Sequence, residues 1–160
     1  MDARTAIKDA LAMAEMVSLA YLGDLDDTEL MQRPHAACNH LNWQIGHLIS
    51  SEHEMMSKLP GNTMPPLPNG FSEMYSKEKA ASDSAADFAS KDELMTAYKT
   101  QRAATLAALD VTSAEQFDQP TGIDYAPTVG SLFAMQGAHW MMHCGQWVIV
   151  RRNCGKPVVI

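Results

Sequence analysis

Apolar residues recur every three or four positions through most of this chain, the spacing that lines one face of a helix. Residues 3–22 show it first. Ile7, Leu11, Ala14 and Ser18 fall on one line, Ala10, Met13 and Val17 beside it, and Gly23 offers a stop. In the LDDTELMQRP segment that follows, Asp26 or Asp27 can cap a short turn that Pro34 closes. A second helix is predicted over about 40–58, capped by Asn39. Leu41, Ile45, Leu48 and Glu52 form one of its lines, and His40, Trp43, His47 and Ser50 the neighbouring one.

A third helix is predicted over about 90–110, where Ser90 followed by Glu93 makes a capping-box pattern. Leu94, Ala97, Tyr98, Arg102, Thr105 and Leu109 keep the 3-4 spacing. Thr128 caps a fourth, about 129–153, which the GKP sequence ends. Residues 59–84 (LPGNTMPPLPNG, then a polar run) read as a long loop, of a length that is usually functional or mobile. Residues 111–127 are turn-rich, with a short helix at SAEQF. The final VVI is the one strand-like stretch, and no internal repeat is visible. Four long helices with such connections predict an all-α fold, a four-helix bundle, as one domain over 1–160.

Composition narrows the function. Hydrophobic residues make up 46% and charged residues 19%, an ordinary globular balance. Twelve basic against 19 acidic residues give a net charge of −7, and no basic stripe appears, which argues against a nucleic-acid partner. The apolar runs are too short to span a bilayer, and the N-terminal stretch lacks the uninterrupted apolar region of an export signal. The expected location is therefore the cytoplasm, where Cys38, Cys144 and Cys154, an odd set without CxxC spacing, stay reduced.

The chemistry gathers on the fourth helix. Leu132, Gln136, His139, His143, Gln146 and Val150 step by 4, 3, 4, 3, 4, the inward seam of a bundle helix. Its middle is polar, and buried imidazoles and amides are costly unless something satisfies them. His139 and His143 share a face, a spacing that chance also produces. His47, in NHLNWQIGHL on the second helix, joins them if the two helices face each other, and Gly46 beside it leaves room for a close approach. Three neutral imidazoles at about 2.0–2.1 Å leave coordination positions open on a divalent ion, as a catalytic site requires. Zinc and nickel both suit three nitrogen ligands.

His40 lies two turns from His47, about 10 Å along the axis, and reads as a rim or substrate contact rather than a ligand. Trp43, His40 and Gln136 are the residues expected to line the pocket. Trp140 and Trp147 read as core, Cys144 as a packed thiol, and His35 and His53 as loop and surface residues. Glu52 and Glu54 are candidates to hold a ligand's second nitrogen. Two sharper readings fail. Trp140 stands where a zincin's HExxH motif needs glutamate, and paired Glu-x-x-His motifs for a di-iron site are absent.

Taken together, LDDTELMQRP, NHLNWQIGHL with its Gly-His-Leu, LPNGFSEMYS, HWMMHCGQ and the closing RRNCGKP resemble the DinB-like superfamily. That family includes bacillithiol- and mycothiol-dependent S-transferases and maleylpyruvate isomerases. The resemblance implies metal at His47, His139 and His143, an up-down-down-up bundle and a homodimer. It also implies a thiol S-transferase or related hydrolase acting on a low-molecular-weight thiol and an electrophile. The alternatives are a non-catalytic metal-binding or stress-related module, and a bundle whose core histidines are satisfied without metal.

Overall fold

A computed structural model describes residues 1–61 and 64–159. Its helices are α1 (Ala3–Leu22), α2 (Asp27–Leu30), α3 (Leu41–Ser57), α4 (Phe71–Met74), α5 (Lys91–Val111), α6 (Ala114–Phe117) and α7 (Val129–Asn153). Turns of 3-10 helix occupy Lys77–Lys79 and Ala85–Asp87. Among the described residues, extended backbone pairs only in an isolated bridge between Pro120 and Thr128. Val158 and Val159 form no strand, and Ile160 lies outside the described residues. Among the described residues the architecture is all-α, and no helix is long and apolar enough to cross a membrane.

The helix starts follow the local chemistry of their caps. The first backbone N–H groups of a helix have no partner within it, so a side-chain oxygen placed just before it stabilises the end. Asp26 with Glu29, Ser90 with Glu93, Ser113 with Gln116 and Thr128 with Ser131 all form reciprocal capping boxes. At α3 the expected Asn39 cap is replaced by His40, whose Nδ1 accepts the Trp43 N–H at 3.0 Å. Gly23 does end α1, but in right-handed backbone that any residue adopts.

The four long helices close a ring. α1 packs on α7 and α5, and α3 packs on α5 and α7. Two arginines, Arg151 buried and Arg4 half-buried, pin the ends of α1. Arg151 of α7 donates to the Tyr21 carbonyl at 2.8 Å and pairs with Asp24. Arg4 donates to the carbonyls of Leu109 and Thr112, at 3.2 and 2.6 Å, where α5 ends.

The core has two apolar clusters. One gathers Tyr21, Leu48, Tyr98, Trp140 and Trp147, and the other Ile7, Leu11, Met56, Leu109 and Phe133. Where α3 and α5 pass from one cluster to the other, Glu52 and Arg102 form an ion pair at 2.9 Å, 1% and 4% exposed. The segment predicted as a loop over 59–84 contains α4 and a 3-10 turn and buries Met64, Phe71 and Tyr75. Three large apolar side chains spaced along it tie it to the core, which composition dominated by Pro and polar residues concealed.

On α7 the predicted seam is buried only at Leu132, Gln136 and Val150, and the continuous buried stripe runs beside it. Phe133, Gly137, Trp140, Cys144, Trp147 and Arg151 face the core, while His139, His143 and Gln146 are half-buried beside it. Gly137 permits this by letting α1 come close, since an added Cβ would meet Ala14 Cβ at 3.3 Å. α7 is apolar on more than one side because both α1 and α3 cover it.

Candidate metal centre

His47 of α3 and His139 and His143 of α7 converge. One ring nitrogen from each lies within 4.8 Å of the others. The ring centroids stand 5.4 Å apart for His47–His139, 5.8 Å for His47–His143 and 5.1 Å for His139–His143. His139 and His143 share a face because four residues make just over one helical turn. His47 reaches them because α3 packs on α7.

Gln44, one turn before His47, organises the side of the centre nearest α7. Its Oε1 accepts the Trp147 Nε1–H at 3.0 Å and lies 3.1 Å from His143 Nδ1. Its Nε2 donates to the Asn39 carbonyl at 2.7 Å and to Gln146 Oε1 at 3.1 Å. The indole N–H is donor only, so the amide atom facing it must be the oxygen. That oxygen can only accept, so His143 carries its proton on Nδ1. Nε2 is left with a free lone pair for the centre. Carbonyl bonding to the remote imidazole nitrogen is the usual way a ligand histidine is oriented.

His47 is oriented from the other side. The Trp43 ring stacks on it at 5.0 Å with an interplanar angle of 4°, and the Trp43 Nε1–H donates to the Ser76 carbonyl at 3.0 Å. Among the described residues, no hydrogen bond from another side chain or the backbone occupies a ring nitrogen of His47 or His139.

Burial favours the neutral imidazoles. It pushes His139 and His143 down to about 4, with the neighbouring histidines adding to the effect. It also lowers His47, assisted by the Lys77 ammonium. A metal ligand must be unprotonated, so the three rings are ready to bind near neutral pH. Three unprotonated imidazoles with nitrogens this close together are a donor set that fits a divalent ion.

The sequence profile of the DinB superfamily matches residues 10–147, from the middle of α1 to Trp147. The chain belongs to the DinB superfamily. A crystal structure of a conserved protein from Enterococcus faecalis is similar to this DinB-superfamily chain, with a TM-score of 0.71 and 18% identity. The match covers 98% of this chain and 99% of that one, a likeness of fold. No curated protein sequence matches the chain.

In this DinB-superfamily fold the three histidines border a cleft of about 460 Å³ through His47 and His139. A larger cleft, about 640 Å³, lies between the 66–74 segment and α5, and its lining holds no histidine. The chemistry therefore lies with the smaller cleft.

The other residues singled out from the sequence stand elsewhere. His40 is fully buried as the α3 cap, edge-on to Phe88 at 4.6 Å. Trp43 backs His47. Gln136 is buried and turned along its own helix, donating to the Leu132 carbonyl at 2.9 Å and reaching Met55 Sδ at 3.7 Å. Glu52 and Glu54 pair with Arg102 and Lys58, not with a histidine. The room at Gly46 is taken by the Tyr75 ring. Gln44 was missed. Its signal was an amide on the buried side of α3, one turn before His47, where an unsatisfied polar group is costly.

Proposed function

We propose that this protein holds a divalent metal, zinc or nickel, at His47, His139 and His143 and carries out thiol S-transfer or a related hydrolysis. The observation that carries the reading is the convergence of three neutral imidazoles, one with its tautomer set by Gln44, at the edge of an accessible cleft. An ion bound there supplies Lewis acidity that lowers the pKa of a thiol or water in the open position. The chain's own part is positional. The three histidines hold the centre, Gln44 orients His143, and Trp43 backs His47. A low-molecular-weight thiol and an electrophile are the partners of this reading. A homodimer accompanies it through the family, and a cytoplasmic location through the three free cysteines.

Elemental analysis of the purified protein tests the metal. About one equivalent is expected, lost in His47→Ala; below about a tenth of an equivalent, with no uptake of added Zn²⁺ or Ni²⁺, the metal reading is wrong. A screen of bacillithiol, mycothiol, glutathione and coenzyme A against electrophiles tests the reaction. A flat result with loaded protein selects the non-catalytic metal-binding module instead.

A further inference from the structure

The wall of the cleft beside the histidines is made largely of methionine. Met55 comes from α3, and Met135 and Met142 from α7, the last two flanking Ala138 and His139 along one side. The remaining lining is the Ser51 hydroxyl and the Tyr125 phenol. No charged side chain lines it. The acids of α3 that flank this stretch are engaged elsewhere, Glu52 with Arg102 and Glu54 with Lys58. At about 460 Å³ the cleft has the size of a small-molecule site.

Apart from an ion held by the histidines, the lining offers a charged ligand no charged partner, which favours a neutral one. Methionine sulfur is polarizable and makes favourable contacts at the edges of aromatic rings, and its unbranched chain adapts to irregular shapes. Tyr125, largely exposed, adds an aromatic ring to the lining. The cleft that contains Asp92 and Glu93, on the α5 side of the molecule, offers the opposite chemistry, an apolar floor with carboxylates at its edge.

We propose that the methionine-lined cleft of Met55, Met135 and Met142 takes an uncharged apolar molecule, aromatic in preference, as the electrophile presented to the three-histidine centre. The assignment of this ligand as the electrophile rests on the function proposed above. The ligand class rests on the cleft alone.

The test uses metal-free protein labelled with ¹³C at its methionine methyl groups, titrated with benzyl alcohol, benzoate and benzylammonium. Met74, which lines the other cleft, is an internal control. Benzyl alcohol should shift the Met55, Met135 and Met142 methyls saturably. The two charged compounds should bind there at least about tenfold more weakly. Ala138→Phe, an exposed helical position at the cleft wall, should abolish the shifts while the remaining methyl signals keep their positions. The proposal is overturned if a charged compound binds there as well as the neutral one, if the shifts fall at Met74 instead, if Ala138→Phe leaves them intact, or if benzyl alcohol gives no saturable shift up to its solubility. The readout needs no metal. Failure of metal uptake would therefore remove the function and leave the neutral-ligand cleft, whereas a charged preference would remove the cleft and leave the function.

Discussion

Gly46→Ala and Gly145→Ala make the same chemical change inside helices and should move stability in opposite directions. Glycine in a helix interior is less favourable than alanine by about 0.8–1.0 kcal/mol, so propensity alone makes both changes stabilising. At Gly145, on the exposed side of α7, an added Cβ meets nothing within 4 Å. At Gly46 it would lie closer than 3.0 Å to three carbons of the Tyr75 ring. That ring cannot swing away freely. It is buried, and its hydroxyl donates to Asn42 Oδ1 at 3.0 Å and accepts the Ala89 N–H at 3.1 Å. Losing both bonds costs about 2 kcal/mol, and overpacking adds about 1–3 kcal/mol. After the propensity gain of about 1 kcal/mol, Gly46→Ala should destabilise by about 2–4 kcal/mol. For a chain of this length that lowers Tm by about 5–15 °C. Gly145→Ala should raise stability by about 0.5–1 kcal/mol. Urea unfolding of the two variants and of Gly46→Ala with Tyr75→Ala supplies the assay. The double change should cost at least about 1 kcal/mol less than the sum of the singles, because the overlap is shared. A Gly46→Ala protein as stable as the parent, or additive behaviour in the cycle, would refute the account of Tyr75 seated against α3.

Three further outcomes follow from the same contacts. Gln44→Met keeps the side-chain length but strips the acceptor from His143 Nδ1 and Trp147 Nε1, so metal affinity in a Zn²⁺ titration should fall about 10–100-fold; an unchanged affinity argues against the orienting role. Arg102→Met leaves Glu52 buried without its partner and should destabilise by about 3–5 kcal/mol in urea, whereas Glu52→Leu with Arg102→Met together should recover most of that; a double variant as unstable as the single contradicts it. Burial, the largest influence, holds His40, His139 and His143 at about 4 in the fold, against about 6.5 in the unfolded chain, so the unfolded state takes up protons first as pH falls. The histidines' share of metal-free stability should be whole above about pH 6.5 and drain away between about 6.5 and 4, below which carboxylates such as Asp24 take over the decline. His40→Asn, which keeps a capping side chain, should make that slope shallower by up to about 1.4 kcal/mol per pH unit, and an unaltered slope would count against His40 as a buried neutral cap.

The sequence alone carried what depends on neighbours within a turn or two. Helical spacing placed the four long helices to within a residue or two. Caps such as Ser90–Glu93 and Thr128 marked their starts, because a cap is a bond between residues three apart. The i, i+4 spacing put His139 and His143 on one face for the same reason, and the motifs around His47 were enough to suggest the family. Contacts across 30 to 100 residues were decided only in the folded chain. Tyr75 occupies the room at Gly46, Gln44 reaches His143 and Trp147, and Met55 and Met135 line one cleft. The stripe of α7 that faces the core was only partly placed by the sequence, for a related reason. Two adjacent faces of that helix are apolar enough to be buried, and only the placement of α1 and α3 against them left the histidines at the edge of a cleft rather than inside the core.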